Sequence, residues 1–331
     1  MEKPHVSTVF SEGGGGLPAT TGEFAVGVES LRVVDRGRAD VLGDKGFREL
    51  MVDVRYPGRW ARGERVRQFS GAEAGAFGEL AGAGRYGVAE GEFAWGETLT
   101  HGYRGVPVRD GCWPVVVFSP GLGDSRGWNA GVVDDLVSQG FVVVAVDHPY
   151  DSAGVEFPGG RVERSVLFGA GASPGAVRVA LAARVADLGF VVGQLPHIAG
   201  RYRMDLRRVA VLGHGAGGAA AMQVAARESR VRAAVNLDGG LTAAADGESG
   251  ELLEVARTGL GKPFLLVGSG RWKASWRAVM RCSAGAHSAL TAPNAVHSSF
   301  TDAESLLRGD PYGLVGWNRT VVADFLRRAL R

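Results

Sequence analysis

Residues 209–220 read Val-Ala-Val-Leu-Gly-His-Gly-Ala-Gly-Gly-Ala-Ala. A short apolar run of the kind that forms a buried strand meets a glycine-crowded turn, and small residues follow at the start of a helical stretch. A strand, a sharp turn of pattern G-x-S-x-G and a helix together lift a serine hydroxyl to the top of a parallel sheet. The flanking glycines let the turn fit between strand and helix. Here the turn is Gly213-His214-Gly215-Ala216-Gly217, and the place of the serine is taken by Gly215. Taken by itself the pattern also fits a glycine-capped strand or a dinucleotide loop. Dinucleotide-binding glycines normally follow the first strand of a domain, whereas this turn lies two-thirds along the chain, although Asp238 falls near the expected spacing of their acidic residue.

Working outward, PVVVFSPG at 114–121 and FVVVAVDHP at 141–149 are continuous β-branched runs, as expected of strands buried on both faces. Apolar residues at helical spacing occupy 127–139, and the alternation continues with a helix over 174–195, the strand at 208–213 and a helix over 217–228. VRAAVNLDGG, KPFLLVGSG and a weaker run at 286–292 supply further strands, and a helix over 317–331 closes the chain. This succession predicts an α/β fold with a mostly parallel, doubly wound sheet and helices on both faces. Upstream, LRVV and ELMVDVRY alternate between turns and read as antiparallel edge strands, the second stopped by Pro57. The stretch 72–87 reads as a short helix and loop within a candidate lid or entrance segment, 72–105. Residues 1–16 end in four glycines and read as a disordered tail, leaving 17–331 as one domain.

The candidate chemistry follows chain order. Asp238 ends the strand after the glycine turn, in VNLDGG. His297, in NAVHSSFTD, lies between the last strand and the final helix. Nucleophile, acid and histidine in that succession form the Ser…Asp…His order of a catalytic triad. The loop FSPGLGDS at 118–125 follows a strand, so the N–H of Leu122 and that of Ala216 are candidate oxyanion donors. Trp113, Trp272, Trp276 and Phe300 are candidate pocket aromatics, against the commoner role of aromatic residues as core packing. His148 and Tyr150, with Asp147 and Asp151, follow a strand end where open sheets bind ligands, and are candidate substrate contacts.

Bulk properties narrow the class. The 331 residues are 45% hydrophobic and 22% charged, with a net charge of +2. The basic residues are scattered, which speaks against nucleic acid. No run of about 18 apolar residues suggests a membrane span, and the first residues lack a signal peptide's apolar segment, so a cytoplasmic location is expected. Cys112 and Cys282 form no metal-ligand spacing and read as buried thiols. The expected partner is a small-molecule substrate, with the chain a monomer or homodimer.

LPATTGEFAVG, RELMVDVRYP, PVVVFSPGLGDSR, FVVVAVDHPYDS, the glycine turn, VNLDGG, KPFLLVGS and HSSFTD recur in one order. In these stretches the chain resembles the platelet-activating-factor acetylhydrolase family, particularly its bacterial relatives in the α/β-hydrolase superfamily. The resemblance spans nearly everything after residue 16. It implies hydrolysis of short or oxidised acyl esters by a serine nucleophile without metal or cofactor, with Asp238 as acid, His297 as base, and Leu122 and Ala216 as oxyanion donors. The departure is Gly215, which has no side-chain atom to attack a carbonyl.

Three readings stay open. In the first, His297 and Asp238 act as a general base with the oxyanion site on an ester, lactone or carbonyl compound, by hydrolysis, cyclisation, elimination or isomerisation. In the second, glycine was substituted into an ordinary serine esterase to trap a ligand. In the third, the protein binds a ligand without reaction.

Overall fold

The computed structural model describes residues 16–331, apart from 90, 169–173, 245, 246, 248, 271 and 272. The tail reading, except for Gly16, and Trp272 therefore lie outside the described residues.

Twelve strands are described: β1 (Ala25–Asp35), β2 (Arg48–Gly58), β3 (Arg65–Arg67), β4 (Leu99–Tyr103), β5 (Trp113–Ser119), β6 (Val142–Val146), β7 (Gly154–Phe157), β8 (Arg161–Arg164), β9 (Met204–His214), β10 (Val231–Leu237), β11 (Phe264–Ser269) and β12 (His287–Ala292). With them run α1 (Gly71–Leu80), α2 (Ala130–Ser138), α3 (Pro174–Tyr202), α4 (Ala216–Arg227), α5 (Glu254–Thr258), α6 (Ala274–Cys282), α7 (Ala303–Leu306) and α8 (Leu314–Ala329). Among the described residues, ten strands form one sheet in the order β12-β11-β10-β9-β5-β6-β2-β1-β4-β3, and β7 and β8 make a separate hairpin. The six strands from β12 to β6 are parallel to their neighbours, and β2 joins β6 antiparallel.

Alternation along β5 shows why the sheet is covered on both sides. Val115 and Val117 face a core with Leu181, Leu188 and Val191 of α3 and Ala220, Met222 and Val224 of α4. Val116 and Phe118 face Val132 and Leu136 of α2 and Val322 and Leu326 of α8. All four strand side chains are fully buried, so each face of the strand removes apolar surface from water.

Four expectations change. β1 and β2 are not at the edge: β2 lies between β1 and β6, and the β4–β3 pair lies outside them. Pro57 does not stop β2. It pairs with Val26 inside the antiparallel register, and its carbonyl accepts from Arg109 N–H at 2.8 Å. The helix expected to end at residue 195 continues through Pro196 to Tyr202. An interior proline costs about 3 kcal/mol, but Leu195 and Tyr202 are buried on the α3 core face. Continuing that stripe offsets the loss. Cys112 and Cys282 are exposed free thiols, each at the margin of an element whose core face points elsewhere.

Within the 72–105 segment Phe77 and Trp95 are buried. Phe77 packs tilted and Trp95 edge-on against the buried Trp128, at centroid distances of 4.8 and 5.5 Å. No helix among the described residues is long and apolar enough to cross a membrane.

Buried charge fastens the antiparallel wing to the helical layer. Arg48, at the start of β2, is 1% exposed; it bonds Asp187 of α3 at 2.8 Å and Asp40 at 2.9 Å. Breaking such a pair from one side strands the other charges, which costs about 3–5 kcal/mol. Arg48→Met is accordingly expected to lower the free energy of urea unfolding by about 3 kcal/mol or more, and a loss under about 1 kcal/mol would contradict this fastening.

Candidate active site

The elbow at Gly215 is built by steric exclusion. Its backbone has φ +53° and ψ −122°, a combination costly for L side chains. A β-carbon on Gly217 would fall 2.1 Å from the Ser119 carbonyl oxygen, so α4 begins pressed against the end of β5. The Gly215 N–H donates to the Leu237 carbonyl at 2.8 Å, tying the elbow to the end of β10. The chain passes from β5 to β6 on one side and returns to β9 on the other. The site therefore occupies the carboxyl end of the sheet at its topological switch point, where such sheets form crevices.

Asp238 is the residue after β10. Its backbone is left-handed (φ +55°), and its N–H donates to Val267 at 2.7 Å. The carboxylate accepts from the Ser269 N–H and hydroxyl, each at 3.0 Å, and from His297 Nδ1–H at 2.8 Å; Lys273 Nζ lies 3.5 Å away. Burial alone would raise its pKa. The His297 hydrogen bond and the Lys273 charge outweigh burial and hold the carboxyl below its ordinary range.

This bond orients His297 so that Nε2 faces the elbow: a β-carbon built on Gly215 would stand 3.1 Å from it. His214 is buried beneath. Its ring centroid lies 4.4 Å from that of His297, and its Nε2–H donates to the His297 carbonyl at 3.0 Å. Burial, then the neighbouring His297, lower the His214 pKa and favour the neutral ring.

A cavity of about 410 Å³ opens over this group, lined by Leu122, Gly215, Ala216, Asp238 and His297. Among the described residues, neither the Leu122 nor the Ala216 N–H has a hydrogen-bond partner. The five residues that sequence order singled out thus share one cavity. Its further wall is Val177 and Leu181 of α3, with Arg85 and Lys273 at the sides, none of them singled out from sequence. Val177 and Leu181 are one helical turn apart, but such spacing marks any buried face.

The other candidates lie elsewhere. Trp113 begins β5, at the opposite end of the sheet, against Phe24 (centroids 5.1 Å apart). Trp276 is buried under the Asp238 turn and donates to the Gly239 carbonyl at 2.7 Å. Phe300 is packed between the sheet and α8. His148 is fully buried between Ser119 and Asp187. Tyr150 stands against Gly43 and its hydroxyl hydrogen-bonds Glu163, outside the cavity lining. Each was placed by its residue type or strand end, without the packing direction that decides whether a side chain faces the cavity. No group of three or more His, Cys, Asp and Glu among the described residues is arranged to hold a metal.

The fold and this arrangement define the α/β-hydrolase class. A family model described as platelet-activating factor acetylhydrolase, isoform II, matches residues 10–158. A probable 1-alkyl-2-acetylglycerophosphocholine esterase of Arthroderma benhamiae is 28% identical over 214 residues, covering 59% of this chain and 50% of that one. The chain thus spans about half the length of the curated relative it matches. A solved ferulic acid esterase from Streptomyces cinnamoneus superimposes with a TM-score of 0.77 at 31% identity, covering 96% of this chain and 94% of that one. The chain belongs to the platelet-activating-factor acetylhydrolase-like family of this superfamily.

The segment that carries His297 is anchored from behind. Phe300's carbonyl accepts from Asn129 at 2.7 Å, and Asp302 accepts from Gln68 at 2.7 Å and Gly131 N–H at 3.0 Å. Burial raises the Asp302 pKa to about 7, more than its hydrogen bonds and Arg319 lower it. Between its unfolded value of 3.8 and about 7 the native state holds the extra proton, so this contribution is complete below that window and is lost as pH rises through about 7. The stability of wild type relative to Asp302→Asn is expected to fall from pH 4 to pH 8 in urea titrations; a difference that is flat or rises contradicts the assignment.

Proposed function

We propose that this protein hydrolyses a carboxylic ester of a small molecule without an acyl-enzyme, using His297 as general base on water. The observation that carries the reading is His297 Nε2, fixed by Asp238 and 3.1 Å from where a β-carbon on Gly215 would lie. A water in that space gives its proton to Nε2 while its oxygen bonds to the ester carbonyl carbon. The carbonyl oxygen takes up the negative charge against the Leu122 and Ala216 N–H groups. Collapse then breaks the carbon–oxygen bond, and the leaving alcohol takes the proton back from His297. Asp238 stabilises the imidazolium in between. The esterase relatives support the substrate class, and the size of the cavity suits a small ester.

The second reading, an ordinary serine esterase with its serine exchanged for glycine, has one observation in its favour. A β-carbon at residue 215 would meet only the half-exposed His297 ring at under 3.4 Å, a neighbour able to give way.

Both readings are tested by rapid-mixing release of 4-nitrophenol from 4-nitrophenyl acetate. The unaltered protein is expected to release it slowly, without a burst, and only with His297 present. Gly215→Ser is expected to add a His297-dependent burst and turnover at least roughly 10³-fold faster. A rate untouched by His297→Ala contradicts the general-base reading, and a Gly215→Ser variant without a burst contradicts the poised-esterase reading.

A further inference from the structure

The turn that carries Leu122 is gripped from behind by a buried arginine. On α3, Val177, Leu181 and Arg184 follow at i, i+4 and i+7, one helical face. The first two line the cavity, and Arg184, fully buried, lies deeper. Its Nη1 donates to the Pro120 carbonyl at 2.6 Å, and its Nη2 to the Gly121 carbonyl at 2.8 Å. The guanidinium rests on Asp151, with Nε to Oδ2 at 2.6 Å and Nη2 to Oδ1 at 2.7 Å. Asp151 Oδ1 in turn accepts the Gly123 N–H at 2.9 Å.

The Gly121 carbonyl and the Leu122 N–H belong to one planar trans peptide unit, in which oxygen and hydrogen point in opposite directions. Whatever fixes the oxygen aims the N–H. We propose that Arg184 is the positioning residue of the oxyanion turn: its grip on the Gly121 carbonyl points the Leu122 N–H into the cavity and polarises it. The next peptide unit is held as well, with the Leu122 carbonyl on Arg85 and the Gly123 N–H on Asp151. A charge-assisted bond at the carbonyl end also strengthens the N–H as a donor.

A second buried chain backs the arginine. Ser119 Oγ lies 3.4 Å from Arg184 Nη1 and donates to His148 Nε2 at 2.9 Å; His148 Nδ1–H donates to Asp187 Oδ2 at 2.9 Å. Ser, His and Asp here have the connectivity of a catalytic triad, yet all three are fully buried and none lines the cavity. Burial, then the Arg184 charge, hold the His148 pKa down at about 4, against the opposing pull of Asp187. The ring is neutral and its tautomer fixed. Asp187, one turn beyond Arg184 on α3, closes the chain onto the helix that carries both.

The catalytic part of this proposal rests on the oxyanion reading above, and the test separates the two. Arg184→Lys keeps a charge for Asp151 but loses the planar fork that reaches two carbonyls. The double variant Arg184→Met with Asp151→Asn removes the pair without stranding a charge. In protein labelled with ¹⁵N, the Leu122 amide resonance is expected to move in both variants while that of Ala216 holds its place. On 4-nitrophenyl acetate, kcat is expected to fall about 10²-fold with KM changed less than about threefold and the pH profile unmoved. An unmoved Leu122 resonance in both variants, or a His297-dependent kcat within about twofold of the parent, overturns the proposal. Absence of His297-dependent turnover in the parent counts against the hydrolytic reading, and the Leu122 resonance then decides the role of Arg184 by itself.

Discussion

The chain reverses at Gly215 in a backbone conformation that few residues tolerate, with α4 jammed against the end of β5 so tightly that any side chain on Gly217 would strike the Ser119 carbonyl. Three consequences follow from that contact. The first N–H of α4 is left without a helical partner and lies over the cavity. Leu122, two residues beyond Pro120, is brought beside it. The bond from Gly215 N–H to Leu237 then draws the end of β10, and Asp238 with it, to the same point. The missing side chain at residue 215 leaves all of this geometry standing, because the glycines around it and not a serine hold the reversal.

Charge is spent inside this molecule on geometry. Arg48, Arg184, Asp151 and Asp187 are almost wholly withdrawn from water, each with several partners. Buried ion pairs commonly come near break-even against an apolar core of equal volume, so their net stabilising value is small. Their directional value is larger, since a planar guanidinium with fixed acceptors permits few arrangements of the backbone it holds. Here that backbone is the turn over the cavity floor. The separation of duties is visible along α3: Val177 and Leu181 present apolar surface to the cavity, and Arg184 and Asp187 continue the same helix into the polar interior.

The parallel half of the sheet was legible because strands buried on both faces are written as unbroken β-branched runs, as in Val115–Phe118 and Val142–Val146. The elbow was legible because glycines cluster where backbones touch. Trp113 lies away from the cavity for a reason written in its own strand: it begins β5, and crevices form at the carboxyl ends. His148 does follow a carboxyl end, but the turn after β6 folds beneath the sheet end and buries the ring in the ion network between Ser119 and Asp187. For Val177, Leu181 and Arg184 no local signal exists. Which face of a helix meets a cavity depends on how it lies across its neighbours, and an arginine destined for full burial looks in sequence like any solvated one.

Under the proposed mechanism, chemistry at this site passes through water activated by His297 and through no covalent intermediate. Intact-protein mass measurement on samples acid-quenched during turnover of 4-nitrophenyl acetate, with His297→Ala run in parallel, distinguishes this route from an acyl-enzyme. Product formation is expected to depend on His297 while the protein mass stays that of the unmodified chain. An acetylated protein that forms and decays at the rate of turnover would contradict it.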